Sequence, residues 1–368
     1  MTYRVKFIDF PLQWQRQKDE LLPIIEDTIA RGDLMLRQQL VDFESHLAQF
    51  NGSQHGVGVS NCTDGLRLLA HHLDVGPGDE IVTVAHTFIA TISPFVLRGA
   101  TPVFVDIGPD QLMDTAKLRD AVTERTKAII PVHLNGRTVN MDEVLEVAGE
   151  VDAVVIEDAA QALGATYKGR TSGTMGLAST YSFYPAKMLG ALGDGGAVLT
   201  DDPALASDLH RLRDHGRVTK TEVEGWGYNC RLDNLQAAIL DYRLTLLPSW
   251  IEHRRGLARI YQEMLSDLPG LDLPVGPDSD ADRVDVFQNY PIMHDRRDEL
   301  VAHLRDQGIE VLISWPVPFH LQKGVDLDHW ELPETERLSR RVLSLPMNAE
   351  LTADEVRFVA DRVRDFCA

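Results

Sequence analysis

One lysine stands out for its setting. In SFYPAKMLGALGDGG, residues 182–196, Lys187 follows an aromatic-proline run and precedes a run of glycines. Glycines permit turns and close approaches that other residues resist, so a lysine among them is placed to touch something other than water. Two acids, Glu157 and Asp158, close the apolar run of VVIEDAAQALGA. Open parallel sheets bind ligands at the carboxyl ends of their strands, and an acid there meets a cation or a donor. A helix N-cap is the other reading of Asp158. In VSNCTDGLRLL an apolar run passes into Asn61, Cys62, Thr63 and Asp64, and a helical pattern opens. Free backbone N–H groups at the positive end of such a helix make a phosphate site; an ordinary cap is the plainer alternative. The segment carries neither GxxxxGK nor GxGxxG. Phe88, in VAHTFIAT, stands where a strand runs into a helix, as a core residue or as a ring that stacks on a flat heterocycle.

These features converge on a flat, phosphorylated, nitrogen-containing cofactor that bears an aldehyde. Lys187 supplies the amine for a Schiff base and Asp158 the partner of the ring nitrogen. Opposite charges about 4 Å apart attract by roughly 4 kcal/mol at an effective dielectric near 20. Such a partner keeps a pyridinium protonated near neutral pH. A protonated ring draws in the electrons released when a carbanion forms, which is the chemistry of pyridoxal phosphate. The glycines after Lys187 are expected to let the chain pass close to that ring.

The elements that must position these residues follow from periodicity. GVGVS, EIVTV, TPVFVDI, AIIPV and AVVIED read as buried strands, separated by amphipathic segments at 64–73, 88–98, 114–122 and 141–149. This alternation predicts a mostly parallel sheet covered on both faces. Two helices lead into it, through QKDELLPIIEDTIARGD and RQQLVDFESHLAQF. Beyond residue 200, PALASDLHRLRDHG, NLQAAILDYRLTLL and PSWIEHRRGLARIYQEMLSDL read as three separate helices, and GLDLPVGPDSDADRV as a surface loop. A strand near DVFQNYPIM, a helix near RRDELVAHLRDQG, a strand at IEVLI and a final helix at ADEVRFVADRVRDF complete the pattern. The division expected is a large domain over 1–247 and a smaller α+β domain over 248–368.

Bulk properties narrow the partners. A chain of 368 residues, 44% hydrophobic, suits a well-buried globular protein. A formal net charge of −20 disfavours nucleic acid and anionic membranes. The three cysteines, Cys62, Cys230 and Cys367, form no CxxC pair, so neither structural zinc nor a disulfide scaffold is expected. No run approaches 18 apolar residues and no leader pattern opens the chain, so a cytoplasmic setting is expected.

EDAAQALGA, SFYPAKMLGALGDGGAVLTDD, RDHGR…GYNCRLDNLQAAIL and WPVPFHLQ, in that order, resemble the sugar aminotransferases of the DegT/DnrJ/EryC1/StrS family. The resemblance covers nearly the whole chain. It implies the α/β fold type I of aspartate aminotransferase, pyridoxal 5′-phosphate as cofactor, and a homodimer with active sites at the subunit interface. By the same resemblance, Lys187 is the Schiff-base lysine that also shuttles protons. Asp158 is the ring-nitrogen partner, and Gln161 contacts the ring hydroxyl. Ser182 binds the phosphate, with Cys62 and Thr63 at the phosphate turn; many relatives have Gly-Thr there, which leaves the Cys62 backbone N–H as its usable group. Phe88 stacks on the ring, and Asn229 reaches the phosphate in the neighbouring subunit. Donor carboxylate or sugar contacts fall to Arg231 and His320.

The implied reaction moves an amino group from L-glutamate to a keto sugar on a nucleoside diphosphate. A branch that replaces the lysine with histidine dehydrates instead, and Lys187 argues against it. RLDNLQAAIL resembles members acting on 3-keto sugars, whereas 4-keto members often read RMTDIQAALG. A cyclitol ketone is the next alternative, and a cofactor-binding regulator or a nicotinamide oxidoreductase is a more distant one. HRLRDHGRVTK gathers Arg211, Arg213, His215, Arg217 and Lys220 in an acidic chain; it is expected to line the nucleotide-sugar entrance, or else to be a solvated helix end. Arg254 and Arg255 read as exposed helix positions.

Overall fold

The computed structural model describes residues 3–367. Helices α1 (Phe10–Ala30) and α2 (Gln38–Asn51) lead the chain. Then come β1 (His55–Val59), α3 (Cys62–His72), β2 (Glu80–Val84), α4 (Ser93–Val96), β3 (Thr101–Val105), α5 (Leu118–Ala121), β4 (Thr126–Ile129), α6 (Met141–Glu150) and β5 (Val154–Asp158). All five expected strands are present. Two of the expected helices shrink: 88–98 and 114–122 each form a 3-10 turn followed by four α-helical residues. Pro94 accounts for the first break, since it cannot donate to a preceding turn and sits at the start of α4 instead.

A small hairpin, β6 (Thr166–Tyr167) and β7 (Arg170–Thr171), precedes β8 (Ala178–Ser182) and β9 (Gly196–Thr200). The main sheet runs β1-β9-β8-β5-β4-β2-β3, with β9 antiparallel to both neighbours and the other pairs parallel. Alternate residues of a strand point to opposite faces. Ile81 and Ile156 accordingly pack with Leu66 of α3, while Val82 and Val155 pack with Val144 of α6. The carboxyl ends of β1, β2, β4, β5 and β8 lie along one edge, and β9 begins there.

Helix α7 (Pro203–Leu212) follows, then α8 (Asn234–Leu265). Where two helices were expected, α8 is one rod of 32 residues that passes through Pro248. The missing N–H of a proline removes one ladder bond, and packing at both ends outweighs it. Leu240, Leu244 and Leu247 pack with Leu40, Phe43 and Leu47 of α2. Leu257, Ala258, Tyr261 and Leu265 pack in a second core around a small sheet. The expected division at 247–248 therefore falls inside a continuous helix whose two halves serve different cores.

That small sheet is formed by β10 (Leu271–Asp272), β12 (Tyr290–His294) and β13 (Val342–Leu345), in the order β10-β12-β13. Between the first two, β11 (Arg283–Val284) joins the β6–β7 hairpin. Helices α9 (Arg297–Asp306), α10 (Pro333–Arg341) and α11 (Ala353–Cys367) complete the unit. IEVLI is not a strand. It makes only isolated bridges, Ile309 to Val5 and Leu312 to Ser344, because β13 takes the place beside β12. Arg254 is not an exposed helix position: it is 5% exposed, and its guanidinium donates to the carbonyls of Phe287, Gln288 and Met347. Arg255 is half-buried and donates to the carbonyls of Asp285 and Pro277. Both arginines satisfy carbonyls of irregular backbone that has no ladder partner.

Candidate active site

A cavity of 510 Å³ opens at the carboxyl edge of the main sheet, within the range of small-molecule sites. Cys62, Thr63, Phe88, Asp158, Gln161, Ser182 and Lys187 all line it. Seven residues chosen from four separate stretches of sequence are thus brought to one place by strand order.

Asp158 ends β5 on the same face as Ile156. Its Oδ2 accepts from the Thr91 hydroxyl at 2.7 Å and its Oδ1 from the Ala160 N–H at 3.2 Å. Thr91 is in turn hydrogen-bonded to Thr87 at 2.8 Å. No helix follows Asp158, which disposes of the N-cap alternative. Glu157 points the other way and is fully buried. It accepts from Nε2 of His133 at 2.8 Å and from the N–H groups of Gly173, Met175 and Gly176, each at 2.7 Å. Burial drives its carboxyl upward, yet His133 and these amides outweigh burial and hold it below the usual glutamate range. Nδ1 of His133 accepts from the Val139 N–H at 3.2 Å, which leaves Nε2 as the donor. One acid of the pair is thus consumed by the fold and the other faces the cavity.

Lys187 lies in irregular chain between β8 and β9. Its amine is withdrawn from bulk water and has no ion-pair partner among the described residues. Removal from water lowers its pKa, against the opposing pull of the Asp158 charge. Across the cavity, Asn61 caps α3 by accepting from the Asp64 N–H at 2.8 Å. The N–H groups of Cys62 and Thr63, in the first turn, have no intrahelical acceptor. Burial, then the charge of Asp158, push the Cys62 thiol upward, so it stays protonated. Phe88 is 59% exposed at the mouth. Gln161 accepts from the Asn135 N–H at 2.8 Å through Oε1, leaving its Nε2 free to donate.

Two of the glycines are required by close approaches of backbone. A Cβ on Gly196 would lie 2.4 Å from the Asn61 carbonyl carbon and 2.6 Å from the Cys62 nitrogen. One on Gly190 would lie 2.4 Å from the Pro185 oxygen. They admit the chain's own backbone, packing β9 against the turn that opens α3.

Several expected contacts are absent from the cavity of a single chain. His320 is fully buried in a 3-10 turn beside Phe319, and Phe319 packs on Phe104; neither ring nitrogen is hydrogen-bonded, and the nearest carboxylate, Glu336, is 3.5 Å away. Enclosure in the core takes it out of reach of a substrate. Arg213 is buried too, donating to Glu44 and to the Gly58 carbonyl. Arg211 pairs with Asp208, while Arg217 and Arg231 share Asp214 at 2.7 and 2.9 Å. Asp214 within the run, Asp208 just before it and Glu44 of α2 thus neutralise its arginines, while Lys220, His215 and His210 are exposed and have no acid partner among the described residues. Asn229 is exposed and lies outside the cavity, in a bridge with Asp214. The sequence reading missed Thr91, His133 and Trp315, which also line the site. Signals were present: His133 is a lone histidine after a predicted strand, Thr91 closes VAHTFIAT and Trp315 opens WPVPFHLQ.

The residues present fit pyridoxal phosphate: free helix-start amides and a hydroxyl for its phosphate, a carboxylate for its ring nitrogen, an exposed ring, and an amine with no ion-pair partner. Comparison with known proteins agrees. The profile of the DegT/DnrJ/EryC1/StrS aminotransferase family matches residues 15–364. A Geobacillus stearothermophilus protein named pleiotropic regulatory protein is 40% identical over 98% of both chains. A Streptomyces venezuelae protein named dTDP-3-amino-3,4,6-trideoxy-alpha-D-glucose transaminase is 40% identical over 99% of this chain and 97% of its own. The crystal structure of S. venezuelae DesV superposes with a TM-score of 0.95 at 39% identity, covering 100% of this chain and 99% of that one. The chain belongs to the DegT/DnrJ/EryC1/StrS aminotransferase family, and it is an aminotransferase that uses pyridoxal 5′-phosphate.

Proposed function

We propose that this enzyme moves an amino group from L-glutamate to the keto carbon of a sugar carried on a nucleoside diphosphate, carbon 3 in preference to carbon 4. The observation that carries the reading is the amine of Lys187, withdrawn from water and without an ion-pair partner, in one cavity with the carboxylate of Asp158 and the free amides of α3.

Bound there, pyridoxal phosphate supplies an aldehyde that captures amines and a ring that draws electrons from the adjoining carbon. The chain's own residues do the rest. Lys187, its pKa lowered by loss of solvent, takes a proton from the donor carbon and returns one on the acceptor side. Asp158, steadied by Thr91 and Ala160, offers a fixed negative charge to the ring N–H. Cys62 and Thr63 donate backbone N–H groups, and Ser182 a hydroxyl, to the phosphate. Gln161 donates to the ring hydroxyl, and Phe88 covers a ring face.

Asn229 serves the site of a second copy in a homodimer. Around it stand Trp226, 91% exposed, and Val223, 59% exposed, an apolar surface suited to cover by another subunit. Arg217, Lys220 and Arg231 are the substrate-side cations, with Arg217 and Arg231 held by Asp214. Carbon 3 is supported by RLDNLQAAIL and by the name of the S. venezuelae relative. The name of the Geobacillus relative, pleiotropic regulatory protein, favours a regulatory role beside the catalysis. One experiment tests the choice of substrates. The visible band of the purified holoenzyme should disappear on adding L-glutamate and return with a nucleoside-diphosphate 3-keto sugar. Persistence of the band in saturating L-glutamate would overturn the choice of donor. Return of the band with 4-keto sugars alone would overturn the choice of carbon.

A further inference from the structure

No regular element fixes the direction of Lys187, so something else must hold its backbone. Two peptide groups flank the residue. The carbonyl of Ala186 accepts from Nε2 of Gln288 at 3.0 Å, and the N–H of Met188 donates to Oε1 of the same side chain at 2.8 Å. Gln288 is 6% exposed and stands 101 positions beyond Lys187 in sequence. Its amide spans the lysine and binds both of its peptides. A side-chain amide offers a donor and an acceptor side by side, which suits it to this bracket.

Gln288 is itself rigidly seated. Arg254 donates to the carbonyls of Phe287 and Gln288 at 3.1 and 3.2 Å. Gly136 lies so close that a Cβ there would sit 2.8 Å from the Phe287 nitrogen and 2.9 Å from the Gln288 nitrogen. Phe287 takes a left-handed φ of 52° that directs the next side chain towards the lysine loop. The adjoining Asn289 donates to Oδ1 of Asn135 at 3.0 Å, and the Asn135 N–H holds Gln161. One short irregular stretch, outside every motif of the family resemblance, thus reaches two residues of the cavity.

We propose that Gln288 is a positioning residue for the transamination: by bracketing both peptides of Lys187 it sets the direction in which the amine enters the cavity. This rests on the reading of Lys187 as the amine that joins the cofactor. Gln288→Met keeps the length and removes both hydrogen bonds; Gln288→Glu keeps the acceptor and loses the donor. A merely structural role would lower the melting temperature and leave the chemistry of the lysine alone.

The test uses holoenzyme of the wild type and both variants. Three quantities are read: the melting temperature, the pH midpoint of the visible band of the lysine-linked cofactor, and kcat and KM for L-glutamate. The Met variant should move the midpoint by about half a pH unit or more. It should lower kcat by about tenfold or more, with KM held within about threefold. The Glu variant should lie between it and the wild type. Folded variants with the wild-type midpoint and kcat would overturn the proposal. If neither variant folds, hydrogen exchange of the Met188 amide in the wild type decides. Protection matching that of β9 supports the bracket, and exchange as fast as in the exposed 322–324 turn overturns it. A visible band that survives Lys187→Ala would instead sink the reading of the lysine itself, whatever Gln288 does.

Discussion

Replacing Lys187 with alanine takes away the only amine that lines the cavity among the described residues. The rate of amino transfer from L-glutamate should fall by roughly 10²–10⁴-fold, the usual worth of a positioned proton carrier, as read by release of 2-oxoglutarate. Asp158→Asn retains the shape and the contact with Thr91 but removes the charge. If the attraction is about 4 kcal/mol, the same rate should drop by roughly 10³-fold. The pH dependence should move as well. Asp158 favours the charged form of Lys187, so its loss should shift the acid limb of the glutamate reaction to lower pH. A shift to higher pH would contradict the assigned contact.

At the scale of elements, the close packing of β9 against the start of α3 makes Gly196 sensitive. Both neighbours of an added Cβ are backbone atoms, so Gly196→Ala must push strand and cradle apart. Overpacking of this kind costs about 1–3 kcal/mol, and cofactor affinity should weaken with it. Thermal melts and cofactor titration of the apoprotein check both. The same stretch shows what could be read beforehand. Five strands and the flanks of Lys187 were legible because apolar runs and glycines are local signals. β8 was not, because ASTYS is hydroxyl-rich and buried only by its sheet neighbours. Asp158 was singled out over Glu157, but the structural role of Glu157 was not legible, since which face of β5 each takes is not a local signal. Gln288 gave no signal, since its partners lie about a hundred residues away. His320 misled because a motif does not reveal burial.

At the scale of the molecule, acid sensitivity has an identifiable contributor. His86 is 3% exposed and packs edge-on against Trp315 of the cavity wall, with ring centroids 5.3 Å apart. Burial lowers its pKa from 6.5 to about 4. Above pH 6.5 the ring is neutral in both folded and unfolded chains. Between 6.5 and about 4 the unfolded chain takes a proton that the folded one refuses, so stability falls as pH falls. Near pH 5 this group should cost about 2 kcal/mol. His86→Phe, which cannot titrate, should narrow the difference between the unfolding free energies from urea titrations at pH 7.5 and pH 5 by that amount, and an unchanged difference would exonerate the residue.

The unbroken course of α8 bears on how the enzyme can move. A 32-residue helix is about 48 Å long, and this one is embedded at one end beneath the main sheet and at the other in the core of the small one. The small core cannot swing about residues 247–248 as on a door hinge without snapping that beam. Entry and exit of a bulky substrate therefore fall to the irregular segments at the rim, such as the one carrying Trp315, while the beam keeps the two cores at a constant spacing.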